Sequence, residues 1–404
     1  MRNFITYSKS LNIINNFEFK AKTKEKVFVS NSIDRIVADD IIAVENSPIY
    51  PTSSMDGYAI RFDDQKLKTL EIIDKNPAGS VSNSIVEKGT TIKTFTGSLI
   101  PEGSDTLIPI EKVEVIDNKI KILEEVPKAY AIREVGENYK VNEILIKKGQ
   151  LLSFAHIGVM ASLNISQVNV YTKATVAIAS TGSEILDLGD IQTNESQIRS
   201  SNHITIEALA KKAGANVLQM GVVKDDMDSI TNLLENGLAK ADIVVTTGGV
   251  SVGDYDFVQD VVKKRLNAEL LFHGVLIKPG MHILVAKKDG KIILSLPGFA
   301  YSSTVCAILY LLPLIYKYNN SDKKLPIVDA IIDEDLTNKT NKLSFIAANV
   351  RYKEGKYLVD LEDKKKGSSA ILTNLLGNTA LIIAEASKEY KKGDTLQILL
   401  LNQL

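Results

Sequence analysis

The run Asp242-Ile243-Val244-Val245-Thr246-Thr247-Gly248-Gly249-Val250-Ser251-Val252-Gly253-Asp254-Tyr255-Asp256 sets a glycine-rich, hydroxyl-bearing loop between an apolar stretch and a pair of carboxylates. Ile243 to Thr246 have the composition of a buried strand. Glycines let a backbone approach a ligand closely. A turn that leads from a strand of an α/β sheet into a helix can receive an anion on its N–H groups. The aspartates add hard oxygen donors of the kind Mg²⁺ takes. Together these features predict a phosphorylated ligand held with a divalent metal. The plainer reading makes Gly248 and Gly249 a tight turn. Asp254 or Asp256 then caps a helix starting near Phe257. The spacing is neither a P-loop nor a G-x-G-x-x-G fingerprint.

Other residues add candidate chemistry. Ser54-Met55-Asp56-Gly57-Tyr58 joins a carboxylate, a glycine and a phenol, or else forms a turn with a solvated Asp56 and a packed Tyr58. Thr96-Gly97 and Thr181-Gly182-Ser183-Glu184 each set a hydroxyl beside a glycine. Such pairs hydrogen-bond a ligand while the backbone comes near it. Asp56 and Glu184 are candidate metal ligands or acid/base groups. Lys278, before Pro279-Gly280, is a candidate oxyanion contact, or else a surface lysine. His156 is expected to be packed. Lys364-Lys365-Lys366 reads as a solvated turn.

Elements must position these groups. Strands are expected at Ala174 to Ala179, Val217 to Val223 and Asp242 to Thr246, then at Val275 to Ile277, Ile283 to Val285 and Ile292 to Leu296. Helices are expected at Ile204 to Ala213, Asp228 to Ala239 and Ser302 to Tyr316. The alternation argues for a mainly parallel sheet covered on both faces. The turns after Thr181, Thr247 and Leu296 then share its carboxyl edge, where α/β sheets bind ligands. Asp117-Asn118 and Asp289-Gly290 read as hairpin turns. The predicted fold is a multidomain α/β protein with a central three-layer αβα domain, a β-rich N-terminal insert and a C-terminal β-module. Expected boundaries are 1–44 with 133–172, then 45–132, 173–318 and 319–404.

With 48 basic and 49 acidic residues, the chain has no bulk attraction for nucleic acid or anionic membrane. One cysteine, Cys306, excludes a Cys-framed zinc site or an internal disulfide framework and is expected in the core. The first residues lack the apolar core of a signal peptide, and the run Val305 to Ile315 falls short of the roughly 20 residues that span a bilayer. A cytoplasmic location is expected.

The motifs in order resemble the molybdopterin molybdenumtransferases, the MoeA family that includes the E domain of gephyrin. The matching pieces are Ser54 to Ala59, Thr96-Gly97-Ser98, Pro101 to Asp105, Arg133 with Gly136-Glu137, and Thr181 to Glu184. Gln197-Ile198-Arg199 with Ser201-Asn202, Thr247 to Asp256, Lys278-Pro279-Gly280, Leu296-Pro297-Gly298, Ser368 and Gly377-Asn378 continue the series. The resemblance implies a homodimer of elongated four-domain subunits, its site in a cleft between the α/β domain and regions of the partner subunit. It implies a reaction that takes adenylated molybdopterin and molybdate, releases AMP with the help of Mg²⁺, and leaves molybdenum on the dithiolene. By the same resemblance, Asp56, Thr96 and Arg133 act at the molybdate and pterin end. Asp242, Asp254, Asp256 and Glu184 hold Mg²⁺ or orient water, and Lys278 stabilises charge on phosphate. Gly248, Gly249 and Ser251 cradle the phosphates, while Thr181, Gly182, Arg199, Ser201, Asn202, Thr247, Pro297, Gly298 and Ser368 contact substrate. The adenylyltransferase that makes the intermediate and the enzymes that accept the finished cofactor are the further partners implied.

Four places depart from the family pattern: Asn138 for an aspartate, Met281 for a lysine, Phe299-Ala300 for Asn-Pro, and Ser183 for an aspartate. They motivate an alternative, a molybdopterin-binding paralogue that is non-catalytic or of altered specificity. A second alternative, the adenylyltransferase itself, would account for residues 173–318 but not for the flanking modules.

Overall fold

The computed structural model describes residues 4–20, 22–250, 257–365 and 368–404. The chain forms two compact units, one of residues 27–168 and one of residues 1–26 with 169–404.

In the second unit, a six-stranded sheet runs in the order Asn216–Val223, Thr175–Thr181, Ile243–Thr247, Lys291–Leu296, Leu284–Lys288, Glu269–His273. The first four strands are parallel, Leu284–Lys288 runs against them, and Glu269–His273 pairs antiparallel with Leu284–Lys288. Alternate residues supply the two faces. Val176, Ile178, Val245 and Leu294 pack with Ile206, Ala210 and the helical residues 305–315. Ala177, Val244 and Ile293 pack with Ile230, Leu234, Val258 and Val261 on the other side. Burial on both faces is why these strands read as unbroken apolar runs. Asp289 and Gly290, both at positive φ, close the expected two-residue hairpin.

Two expectations change here. The edge strand is Glu269–His273, whose burial does not alternate cleanly, rather than Val275 to Ile277. Ile277–Lys278 instead pairs in parallel with Leu343–Ser344 of a separate C-terminal sheet. In that sheet Leu343–Lys353 bonds to both Lys356–Asp360 and Thr379–Ala384, so five strands close into a barrel around Ile332, Val350, Val359, Ile382 and Ile398. The apolar run near Cys306 is part of a 19-residue helix, Ala300–Tyr318, long and apolar enough to cross a membrane, but mostly buried inside the protein. It is the spine of the larger core, which also takes in Ile14 and Phe17 near the N-terminus.

The unit of residues 27–168 holds a mixed sheet ordered Thr106–Pro109, Gly57–Ile60, Thr90–Thr94, Thr69–Asn76, Lys119–Ile122, Val113–Ile116. Asp117, at φ 55°, turns its last hairpin. Tyr58, Ile60, Ile108 and Ile120 form its core. His156 is not simply packed: its Nδ1 caps the helix Phe154–Ser162 from beside Ser153.

Candidate active site

Parallel register brings three loops together. Ser180 pairs with Thr247, and Thr247 with Leu296, so the turns that follow lie side by side at one sheet edge. They border a cleft of about 1320 Å³. Thr181, Glu184 and Arg199 border it beside a floor of Thr247, Gly248 and Gly249, whereas Gly182 does not line it, which corrects its expected contact with substrate. Thr181, Glu184, Arg199, Ser201, Asn202, Thr247, Gly248, Gly249, Lys278, Pro297, Gly298 and Ser368 all line it.

Glycine at 248 is required by contact. At φ +98°, a Cβ would lie 2.6 Å from the Thr181 carbonyl oxygen. Its N–H donates to the Leu296 carbonyl at 3.0 Å, so Gly248 brings two turns together and offers no N–H to a phosphate, which corrects its expected role. Asn202 ties the third turn down, donating from Nδ2 to the Gly298 carbonyl at 2.7 Å. That bond makes it a support for the site. Ser201 precedes the helix Asn202–Lys212 without capping it through its side chain. Arg199 donates to the Asp190 carbonyl at 3.1 Å.

Asp242 is a correction. It stands before the strand Ile243–Thr247, at the edge opposite the cleft, and accepts the Thr175 N–H at 2.8 Å. A carboxylate there fastens two strands and does not reach Glu184. Ser251, Asp254 and Asp256 lie outside the described residues.

Lys278 is exposed and reaches the cleft through its pairing with the barrel rather than from the α/β sheet. The next turn packs tightly. Gly280, at φ +97°, faces buried Cys306, whose Sγ would lie 2.1 Å from any Cβ added there. Gly280→Ala is expected to lower stability by about 2–4 kcal/mol through backbone strain and overpacking. A urea-unfolding midpoint equal to that of the parent would show that Cys306 yields without cost.

The barrel supplies residues that sequence reasoning missed. Lys339 and Lys342 line the cleft from a loop built on buried Asn338. Asn338 donates to the carbonyls of Lys342, Ala384 and Glu385 and accepts from Thr340. Lys364 and Lys365 also line it. Lys364 is not a solvated-turn residue: it is half-buried and donates to the Asn374 carbonyl at 2.9 Å and to Thr379 at 3.2 Å. Burial pulls its pKa below the ordinary lysine value. Lys366 lies outside the described residues.

In the other unit, Asp56 Oδ1 accepts both the backbone N–H of Thr96 at 2.8 Å and its hydroxyl at 2.7 Å. The Thr96 N–H first, then its hydroxyl, hold the exposed carboxyl below its usual range. Gly57 follows because a Cβ there would meet the Ile108 carbonyl at 2.4 Å. Arg133 pairs with Glu137 at 2.8 Å. Asn138 is exposed, and its amide lies 3.5 Å from Ser47 Oγ.

Mg²⁺ is tested by the donors present. Among the described residues no group of three His, Cys, Asp or Glu is gathered for a metal. Glu184 and Asp225 nevertheless flank the junction of the two glycine turns. A Cβ on Gly182 would lie 2.9 Å from Glu184 Oε1, and one on Gly249 would lie 3.9 Å from Asp225 Oδ1. Two carboxylates beside an anion cleft fit an ion that keeps several waters and shares substrate phosphates.

A doubly wound sheet with glycine turns and lysines around an edge cleft defines an α/β enzyme for anionic ligands. Residues 5–164 match the MoeA N-terminal region (domain I and II), and residues 177–317 match the probable molybdopterin binding domain. The molybdopterin molybdenumtransferase of Staphylococcus aureus (strain N315) is 32% identical over 382 residues, 93% of this chain and 90% of that protein. That of Staphylococcus epidermidis (strain ATCC 12228 / FDA PCI 1200) is 30% identical over 381 residues, 92% of this chain and 90% of its own. The crystal structure of the molybdopterin biosynthesis moeA protein from Pyrococcus horikoshii OT3 superposes with a TM-score of 0.78 at 28% identity, covering 98% of this chain and 100% of that one. The chain belongs to the molybdopterin molybdenumtransferase family. The match extends through the flanking modules, which an adenylyltransferase reading leaves unexplained.

Proposed function

We propose that the chain inserts molybdenum from molybdate into adenylated molybdopterin and releases AMP, as an enzyme of molybdenum cofactor biosynthesis. The observation that carries this is the cleft itself, in which glycine turns face Lys278, Lys339, Lys342, Lys364 and Lys365. Cations around a narrow cleft stabilise charge that develops as a phosphoanhydride is cleaved. One water is consumed at that bond as AMP departs, and the two sulfurs of the dithiolene bond to molybdenum as one molybdate oxygen leaves as water with the two thiol protons.

In this reading Lys278 meets the phosphates and Thr181 and Thr247 position the ligand. Glu184 and Asp225, with Asp254 and Asp256, hold Mg²⁺, which supplies positive charge to the leaving phosphate. Ser251 and Ser368 contact the substrate. Asp56, Thr96 and Arg133 serve the molybdate and pterin end. A homodimer, the four-part division at 45, 133, 173 and 319, a cytoplasmic setting, and contacts with the adenylyltransferase and cofactor-accepting enzymes belong to the same reading.

The test is AMP release from adenylated molybdopterin by the purified protein, with and without molybdate and Mg²⁺. Release that requires both is expected. Tight binding without release would instead identify a non-catalytic paralogue and turn attention to Asn138.

A further inference from the structure

A line of hydrogen-bonding side chains runs from buried His203 through Ser200 and Ser180 to Thr247 at the cleft. His203 is buried, in the first turn of the helix Asn202–Lys212. Its Nε2 is 3.0 Å from Asp187 Oδ1. Its Nδ1 is 3.0 Å from Ser200 Oγ and 3.3 Å from Ser180 Oγ. Ser180 Oγ is in turn 3.1 Å from Ser200 Oγ and 3.0 Å from Thr247 Oγ1. Ser180, Ser200 and Thr247 line the cleft. The other nearby carboxylate, Glu207, is taken by Lys211 and Gln219. The Leu188 N–H, at 2.7 Å, braces the Asp187 carboxylate.

A carboxylate only accepts, so the ring nitrogen facing Asp187 carries the proton. In the neutral ring Nδ1 is then an acceptor for the Ser200 hydroxyl proton. With Ser200 donating there, the order that runs one way along the chain has Ser180 donating to Ser200 and Thr247 donating to Ser180. In that order every hydroxyl proton points toward His203, and the lone pairs of Thr247 are left for a ligand N–H or O–H. We propose that His203, oriented by Asp187, is a positioning residue that sets the polarity of this hydroxyl chain. It thereby makes the cleft floor an acceptor surface for the donor edge of the substrate, while the lysines take its phosphates. This inference rests on the reading of the cleft as the reaction site.

The test compares kcat/KM for molybdate-dependent AMP release among His203 variants and reads the ring tautomer separately. His203→Ala should cost about tenfold, the worth of one ordering hydrogen bond. His203→Asn should recover to within about threefold of wild type, because its amide oxygen stands near the Nδ1 position and accepts the same hydroxyl. His203→Gln, which reaches toward Asp187 but leaves Ser200 without its acceptor, should not recover. Equal losses in the alanine and asparagine variants, or wild-type values in all three, would overturn the proposal. Nitrogen-15 spectra of the wild-type imidazoles in mildly alkaline buffer decide the case even if the variants misfold or the wild type releases no AMP. A bare Nδ1 on His203 supports the assignment and a protonated Nδ1 overturns it. Absence of AMP release with a bare Nδ1 would fault the reaction and leave the hydroxyl chain standing.

Discussion

Replacing Asp56 with alanine is expected to lower molybdate-dependent AMP release by more than tenfold while leaving the protein folded. The carboxylate is exposed, and its hydrogen-bond partners are the backbone and hydroxyl of Thr96. The neighbouring strand is held by other residues, chiefly buried Tyr58 and the glycine at 57. Removing the side chain therefore takes away a charge and a brace for Thr96 without opening the core. Asp56→Asn separates the two. Its amide oxygen keeps both Thr96 bonds, so a loss in the asparagine variant assigns the role to charge, and near-normal turnover assigns it to positioning. The depressed pKa fixes the pH dependence. A carboxyl whose folded pKa lies below its unfolded value of about 3.9 contributes stability above that value and loses it as pH falls through the folded pKa. Asp56 is thus ionised across the neutral range, and any limb of the kcat/KM profile near neutrality belongs to another group. Wild-type rates in both variants would remove Asp56 from the site.

How much of this was legible in the sequence follows from what each feature depends on. The parallel strands were legible because burial on both faces demands continuous β-branched runs such as Ile243 to Thr246. The hairpins at Asp117 and Asp289 were legible because few residues tolerate positive φ. Convergence of the turns after Thr181, Thr247 and Leu296 followed from strand direction alone. Asp242 shows the opposite error. About six residues at roughly 3.3 Å each separate it from Gly248 by about 20 Å along the strand. Proximity in the chain is therefore not proximity in space along an extended strand. Lys339, Lys342 and Lys364 were hidden because the barrel that presents them closes through pairings between segments that carry no local signal. The strand expected at Val275 to Ile277 falls at Ile277–Lys278 and joins the barrel's sheet for the same reason. His203 was illegible as a site residue, since its partners Ser180 and Asp187 lie 23 and 16 positions away and meet it only when helix and strand pack.

Gly248→Ala is expected to produce the largest loss, more than a hundredfold in AMP release together with about 2–5 kcal/mol of stability. Two independent costs act at one atom. An alanine at φ +98° is held in a region side chains rarely adopt, at about 1–3 kcal/mol. Its Cβ would also stand 2.6 Å from the Thr181 carbonyl oxygen and 2.9 Å from the Thr181 hydroxyl. Overpacking of that kind costs about 1–3 kcal/mol where the neighbour can move. Movement here is the functional harm. Thr181 cannot retreat without carrying Gly182 and Glu184, and Gly248 cannot shift without straining its bond to Leu296. A displacement of about 1 Å in groups that align a reacting phosphate costs on the order of a hundredfold. The same chemical change at Gly158 is the control. That residue lies in the helix Phe154–Ser162 with nothing within 4 Å of an added Cβ, so alanine should be neutral or stabilising by up to about 1 kcal/mol. Measuring unfolding midpoints and AMP release for both variants separates local geometry from general intolerance. If Gly248→Ala unfolds earlier yet turns over normally, the glycine serves the fold, and the two turns tolerate looser contact than a phosphate site requires. If it keeps its midpoint and loses turnover, the close approach of Thr181 to Gly248 is itself part of how the cleft holds its ligand.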